Sequence, residues 1–409
     1  MPILPTLTQA LSASRLFRML VLSTLLVALS GCNPHHFFGP LIRTGVADAE
    51  KQSPKQSLLA VEFTDHGAFY KPSQRTESID AVRARLRCDT LIVAFAHGWH
   101  HNADPNDAHL KAFESELLVP LSQSRSVLGI YIGWRGETSR VPLLRELTFF
   151  GTKDAAETVG SSGVTELLLR VDAEVDRKRQ MCAKESSTQP QFVIIGHSLG
   201  GLVIYSALSQ LLVERFLQGG VRPKTFGDLV VLVNPAFEAS RFRILHELST
   251  QNSQYSKSQP TLLLLAQTEA DFATTSAFGM SRFFAKMFED VPLDSDHPDS
   301  AAQSRTAVGH YVPFRTHCLV PRDNTTSSRD FAASCQASCD GAPIFGNAYL
   351  CPVDPLLTSN PIRVVRVPAA LMNGHSDIWS VGFKSFLLDF VAGTLGDSKP
   401  LTSQSTSAP

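Results

Sequence analysis

The sequence has no excess charge of either sign. Its 37 Lys and Arg stand against 38 Asp and Glu, a formal net charge of −1, so nothing electrostatic draws the chain to nucleic acid or to strongly anionic lipid. Charged residues make up only 18% and hydrophobic ones 43%, which excludes a disordered chain and describes a globular one. There is no internal repeat, which sets aside repeat architectures. A zinc site is missing too: Cys335 and Cys339 could mimic a metal pair, but no Cys/His partner set with zinc spacing accompanies them. Neither metal nor organic cofactor is expected. The apolar run from Met19 to Leu29 is short for a spanning helix. At 409 residues the chain has room for one large α/β domain with insertions, or for two ordinary ones.

What is present begins with an address. Arg15 and Arg18 precede the apolar run, and Leu29-Ser30-Gly31-Cys32 closes it. This resembles the lipobox of bacterial lipoproteins, whose cysteine is acylated after cleavage before it; a plain signal peptide or a single membrane anchor are the alternatives. On the lipobox reading, residues 1–31 are a signal peptide, Cys32 is the lipidation site, and the mature protein sits in the cell envelope, anchored to the membrane by its lipid. Asn33 in place of an inner-membrane aspartate favours the outer membrane. Residues 32–56, with Pro34, Pro40 and Pro54, are expected to be a polar tether, and the Ser/Thr/Pro-rich tail from 396 to 409 to be disordered.

Between them, apolar runs alternate with helical patterns. Strands are expected at Ser57–Phe63, Thr90–Ala96, Ser126–Gly133, Gln191–Ile195, Asp228–Asn234, Thr261–Ala266 and Ile362–Val367. Helices are expected at Ser78–Arg87 (with Ser78 as cap and Asp80 in the first turn), at Asp107–Leu118, from Lys153 to Arg179 with an interruption near 160–163, and at Leu199–Leu217, Pro235–Leu248 and Ile378–Leu395. Continuous apolar strands alternating with helices imply a doubly wound, mostly parallel sheet. The stretch from about 272 to 360 breaks the alternation. It holds four cysteines and an aromatic-rich piece from Phe278 to Phe288, and reads as an insertion before the last strand, lying over the site.

The strand at Gln191 runs into Gly196-His-Ser-Leu-Gly200, and a helical pattern starts at once. Gly-x-Ser-x-Gly between strand and helix is the nucleophile elbow, a strained turn that holds a serine hydroxyl above the sheet edge. With the earlier strand ending in His97-Gly98 and a late histidine, the chain over about 57–395 resembles the α/β-hydrolase superfamily in its serine esterase and lipase branch. His97-Gly-Trp-His-His-Asn102, Gly133-Trp-Arg-Gly136 and Asn234-Pro-Ala-Phe237 are similar to a bacterial and fungal subgroup of that superfamily.

The resemblance implies that Ser198 is the nucleophile and that its oxyanion hole is built from the N–H groups of Leu199 and Trp99. Of 13 histidines, His375 stands where the family's base stands, after the last strand and before a terminal helix. His310 and His317 fall in the insertion, His100 and His101 in the oxyanion loop, and His197 is expected to point away from its neighbour. Asp271 follows the preceding core strand and is the expected acid, with Glu269 as fallback; Asp377 follows His375 too closely. His97, Trp134 and Arg135 are candidates for lining the pocket, Trp134 and Arg135 equally for fixing their loop.

Cys32 aside, six cysteines remain in an oxidising compartment. In the resembled fold the strands near Thr90 and Gln191 are parallel neighbours, which implies a Cys88–Cys182 disulfide closing a loop of about 95 residues, worth ~4 kcal/mol. Cys318, Cys335, Cys339 and Cys351 are left to pair within the insertion in an open connectivity. The function so implied is a serine hydrolase of carboxylic esters, lipid esters among them, whose partners are an ester substrate and the membrane. A non-catalytic surface lipoprotein that uses the same fold as a binding module is the alternative.

Overall fold

Runs of apolar residues with no polar alternation can be satisfied only by burial on both faces, and the chain buries them as neighbours in one sheet. A computed structural model describes residues 36–39, 41–43, 56–136, 149–219, 226–251, 255–256, 259–271, 299–323 and 325–396. Its strands are β1 (Ile42–Arg43), β2 (Gln56–Glu62), β3 (Leu91–Ala96), β4 (Val127–Gly133), β5 (Gln191–His197), β6 (Leu229–Val233), β7 (Leu263–Thr268), β8 (His317–Pro321), β9 (Ile344–Phe345), β10 (Ala348–Pro352) and β11 (Ile362–Val367). They form one 11-stranded sheet in the order β1-β2-β4-β3-β5-β6-β7-β11-β8-β10-β9. Every pairing from β2 through to β8 is parallel; only the outermost pairs are antiparallel.

The helices are α1 (Gln74–Arg85), α2 (Ala108–Ala112), α3 (Phe149–Val159), α4 (Thr165–Cys182), α5 (Leu199–Gly219), α6 (Ala239–Gln251), α7 (Ser300–Arg305), α8 (Thr326–Cys335) and α9 (Val381–Thr394). Ile92, Ala94 and Ala96 of β3 face a core shared with α1, α4, α5 and α6. Leu91, Val93 and Phe95 face the opposite core, closed by α2 and by Phe383, Phe386 and Phe390 of α9. The expected doubly wound α/β architecture is therefore present. The interruption expected near 160–163 is a π turn, Gly160–Val164, joining α3 to α4 without breaking the helix.

Several boundaries differ from those expected. Helix α1 begins at Gln74, not Ser78, which is buried inside it, and its first-turn acid is Glu77. Gln74 is drawn in by the neighbouring strand: its amide accepts from the Glu62 N–H at 3.2 Å and donates to the Ala60 carbonyl at 3.4 Å. Helix α6 starts at Ala239, not at Pro235, because the intervening backbone is held by the Ser198 carbonyl (Ala236 N–H, 3.1 Å) and by a bridge from Glu238 to Ala307. Strand β7 runs to Thr268, two residues past Ala266. The tether is not wholly a tether: β1 pairs antiparallel with β2 and the Phe38 N–H donates to Glu62 at 3.0 Å, so two of the segment's pieces cover the open sheet edge.

The larger correction concerns the insertion. Only part of what is described stands beside the site, with Ala307 bridged to Glu238 and Gly309 set against Gln267; the rest widens the sheet. β8 pairs parallel with β11, β10 antiparallel with β8, and α8 packs against them. The free edge of β11 supplies the hydrogen-bonding row that makes this favourable. Residues 272–298, with the aromatic piece Phe278 to Phe288, lie outside the described residues, as do Cys32, the signal segment 1–31 and the tail from 397. Among the described residues no helix is long and apolar enough to cross a membrane.

Cys88 is bonded to Cys182 across 94 residues, the implied pairing. The pairings left open are Cys318–Cys335 and Cys339–Cys351. Register explains them: Cys318 and Cys351 face each other on β8 and β10, and each reaches outward to a cysteine of α8 or of the loop that follows it.

Candidate active site

Strand β5 is buried along nearly its whole length and ends at His197; α5 starts at Leu199. The one residue between them, Ser198, has φ of +57°, a conformation that costs a non-glycine residue of order 1–3 kcal/mol and persists only where its surroundings impose it. Here they do. The Ser198 N–H donates to the Val233 carbonyl at 3.0 Å, and its own carbonyl accepts from Gly201 at 2.9 Å. The turn is closed so tightly that a Cβ on Gly200 would stand 2.1 Å from the Ala96 carbonyl oxygen. Only glycine fits.

Above this turn the Ser198 hydroxyl and His375 Nε2 are 2.7 Å apart, and His375 Nδ1 is 2.7 Å from Asp271 Oδ2. A carboxylate only accepts, which sets the proton on Nδ1 and leaves Nε2 to accept from the serine. The Asp271 side chain is 0% exposed and His375 18%, and Gln267 Nε2 donates to the same carboxylate oxygen at 2.8 Å. Ser198 follows β5, Asp271 follows β7 and His375 follows β11. Three loops at one end of the parallel sheet converge to make a hydrogen-bonded serine, histidine and aspartate.

The fallback acid Glu269 and the rejected Asp377 are both occupied elsewhere. Glu269 pairs with Arg366 at 2.7 Å and accepts from the Ala369 N–H at 3.2 Å. Asp377 closes its own turn by accepting from the Asn373 N–H at 2.8 Å. Two other histidines have partners of their own: His317 is buried in β8 with Nδ1 on Thr316 Oγ1 at 2.9 Å, and His101 sits against Asp107 at 3.1 Å. His310 lies within electrostatic reach of Asp271 and His375, and burial lowers its pKa.

The loop after β3 lies against the nucleophile. A Cβ on Gly98 would be 2.8 Å from that of Ser198, so Trp99, next in the chain, enters the site's immediate surroundings. Leu199 is the first residue of α5, where a backbone N–H has no intrahelical acceptor. His97 and Trp134, by contrast, are not brought to a pocket. Both are buried, their rings stack at 5.4 Å and 6°, and Trp134 donates to His97 twice, from its N–H to Nε2 at 3.2 Å and from Nε1 to the carbonyl at 3.0 Å. Burial pushes the His97 pKa down to about 4, so it serves as a neutral bracket between the ends of β3 and β4. Arg135 is turned to Asp65, with which it forms an ion pair; it anchors its loop and is not presented to a substrate anion.

Three residues near the triad escaped the sequence reading. Gln267 holds Asp271. Asn234, at the end of β6 with φ of +45°, donates from Nδ2 to the His375 carbonyl at 2.8 Å. His197 does point away from the serine, and its Nε2 donates to that same carbonyl at 2.9 Å. Burial, then the adjacent His375, pushes the His197 pKa down to about 3. Behind it His109, with its pKa also lowered by burial, stacks on His101 at 3.5 Å between centroids and stands 5.2 Å from His197. An asparagine before proline at the end of a buried strand was the available signal for Asn234. Among the described residues no group of three or more His, Cys, Asp or Glu is placed to hold a metal ion.

No protein-family model matches the chain, and no curated protein matches it. Among solved structures, one described as the crystal structure of an uncharacterized protein from Pseudomonas aeruginosa is similar at 11% identity over 90% of this chain, with a TM-score of 0.27. The chain spans about half of that structure's length, 52%, and a likeness this loose carries no argument.

Proposed function

We propose that the protein is a serine hydrolase of carboxylic esters, of α/β-hydrolase type, working through an acyl-enzyme. The observation that carries the reading is the unbroken relay from Ser198 Oγ through His375 to a fully buried Asp271, at 2.7 Å per step. The order β2-β4-β3-β5-β6-β7-β11, with nucleophile, acid and base after β5, β7 and β11, supports the likeness to the esterase and lipase branch. In this reading Ser198 attacks the acyl carbonyl while His375 takes its proton; the Leu199 and Trp99 amides stabilise the oxyanion; His375 returns the proton to the leaving alcohol; and water deacylates the enzyme. Asp271 keeps the imidazole in the required tautomer. The protein's own side chains carry every proton in this sequence.

A fluorophosphonate probe tests it. The wild type should be labelled and Ser198→Ala should not; an unlabelled wild type would instead mean a binding module. Acyl esters of graded chain length then identify the substrate class.

For location we propose a lipid anchor at Cys32 in the outer membrane, carried by the Leu29-to-Cys32 pattern. Metabolic labelling with a fatty-acid analogue should tag the wild type, and Cys32→Ser should lose both the tag and the membrane association. A wild type that takes up no lipid overturns the anchor and leaves the chemistry untouched.

A further inference from the structure

We infer that Asn234, seconded by His197, positions the catalytic histidine by clamping its backbone carbonyl, an inference that rests on the hydrolase reading above. Strand β6 contributes none of the three triad residues. It lies between β5, which carries Ser198, and β7, which leads to Asp271, so a side chain at its end can reach all three catalytic loops. Asn234 is that side chain.

Its contacts use every part of the amide. Oδ1 accepts from the Thr268 N–H at 3.0 Å, at the start of the acid loop. Nδ2 donates to the His375 carbonyl at 2.8 Å and lies 3.2 Å from Met372 Sδ, both in the histidine loop. Thr268 adds a bond from its hydroxyl to the Met372 carbonyl, and the residue before Asn234 accepts the Ser198 N–H. Because the Thr268 N–H can only donate, the oxygen of the amide must face it, and the nitrogen must face His375. The positive φ of Asn234 turns the side chain back into this junction, a backbone conformation that asparagine tolerates better than most residues.

The His375 carbonyl has two lone pairs and receives two donors, Asn234 Nδ2 and His197 Nε2. These side-chain bonds reach the histidine loop from outside. Apart from the Thr268 hydroxyl on the Met372 carbonyl, bonds such as Asn373 N–H to Asp377 and Ser380 Oγ to the Leu371 carbonyl at 2.6 Å hold the loop to itself. Gly374, just before the histidine, has φ of +128° and gives the backbone little stiffness of its own. Holding the carbonyl of the residue whose ring must meet Ser198 and Asp271 is what converts a turn into a fixed base. His197 can serve only as a neutral donor, which its burial enforces.

The test compares Asn234→Asp, His197→Phe and His197→Gln with wild type, each checked for folding by thermal melting. The readouts are kcat and KM on a short-chain p-nitrophenyl ester and the rate of fluorophosphonate labelling. Aspartate is isosteric and still accepts from Thr268, but sets an acceptor against the His375 carbonyl. It should lower kcat and labelling rate about 100-fold, the scale of an ångström's misplacement, with KM within about twofold. His197→Phe should lose about tenfold and His197→Gln, which restores a donor, should recover most of it. A folded Asn234→Asp with wild-type kcat, or a loss confined to KM, overturns the inference while labelled wild type keeps the hydrolase reading intact. A wild type that neither labels nor turns over ester overturns both. Should Asn234→Asp fail to fold, the pair at His197 decides: equal rates for Phe and Gln would overturn the clamp.

Discussion

Ser198→Ala and His375→Ala should each lower kcat on an acyl ester by about 10⁶-fold, and the double variant should be no slower than either, because nucleophile and base act as one unit. Asp271→Asn should cost about 10⁴, since an amide in that position keeps the packing but loses the carboxylate that selects the Nδ1 tautomer and stabilises the imidazolium. Glu269→Gln is the control two residues away. Its carboxylate is spent on Arg366 and on the Ala369 N–H, so turnover should stay within a few-fold of wild type. The measurement is steady-state kinetics on purified variants of matched thermal stability. If Glu269→Gln is the crippled one, Asp271 is not the acid, whatever its distance from His375. If neither is crippled, the imidazole is oriented by some other group and the relay through Asp271 is structural only.

Ser198 and Asp271 could be read from the sequence because each closely follows an apolar run, and a buried strand that stops dead fixes its residues in space to within a turn; His375, eight residues past the mixed strand Ile362–Val367, was placed by the resemblance alone. Asp271 survived even a two-residue error in the end of β7, since the acid lies beyond either boundary. The brackets around the triad were not legible. His97, Trp134 and Arg135 are polar or aromatic residues at strand ends, where pocket lining and loop fixing use the same residue types; only the stacked ring pair and the ion pair to Asp65 decide between them. Asn234 was visible as part of a pattern, but its role depends on a loop 141 residues away, a separation that no local pattern encodes. The part of the insertion that widens the sheet was not legible for a related reason. Cysteine content marks it as an ordered excursion, but whether it caps the site or extends the sheet depends on the open edge of β11, a property of the assembled fold. The opposite edge of the sheet explains in the same way why residues near Ile42, read as tether, pair with β2.

Acid should unfold this protein steeply between pH 6.5 and about 4. His97, His109, His197 and His317 are all at most 5% exposed, and burial is the largest cause of a lowered pKa at each of them. In the unfolded chain each takes up a proton near the ordinary value of 6.5; in the folded one His97 resists to about 4 and His197 to about 3. A depressed folded pKa means the unfolded state binds more protons in that window, so the stability is fully present above pH 6.5 and is lost as pH falls. Each histidine contributes a slope of about 1.4 kcal/mol per pH unit between its two pKa values, His97 and His197 together about 3, and His109 and His317 act in the same direction. Against a typical total of about 5–15 kcal/mol, that is enough to unfold the domain within two or three pH units. Burial raises the pKa of Asp172 and Asp228, which offsets part of the loss at the acid end of the range. His109→Phe isolates one contribution. The ring is set among Phe95, Trp379 and two imidazoles, surroundings that suit phenylalanine, and the variant should flatten the slope by about 1.4 kcal/mol per unit. Chemical denaturation at half-unit steps from pH 7.5 to 4.5 gives the curve. A stability that stays level down to pH 4.5 would mean that the imidazoles gain protons without unfolding, and that the histidine-rich junction is wetter than its burial implies.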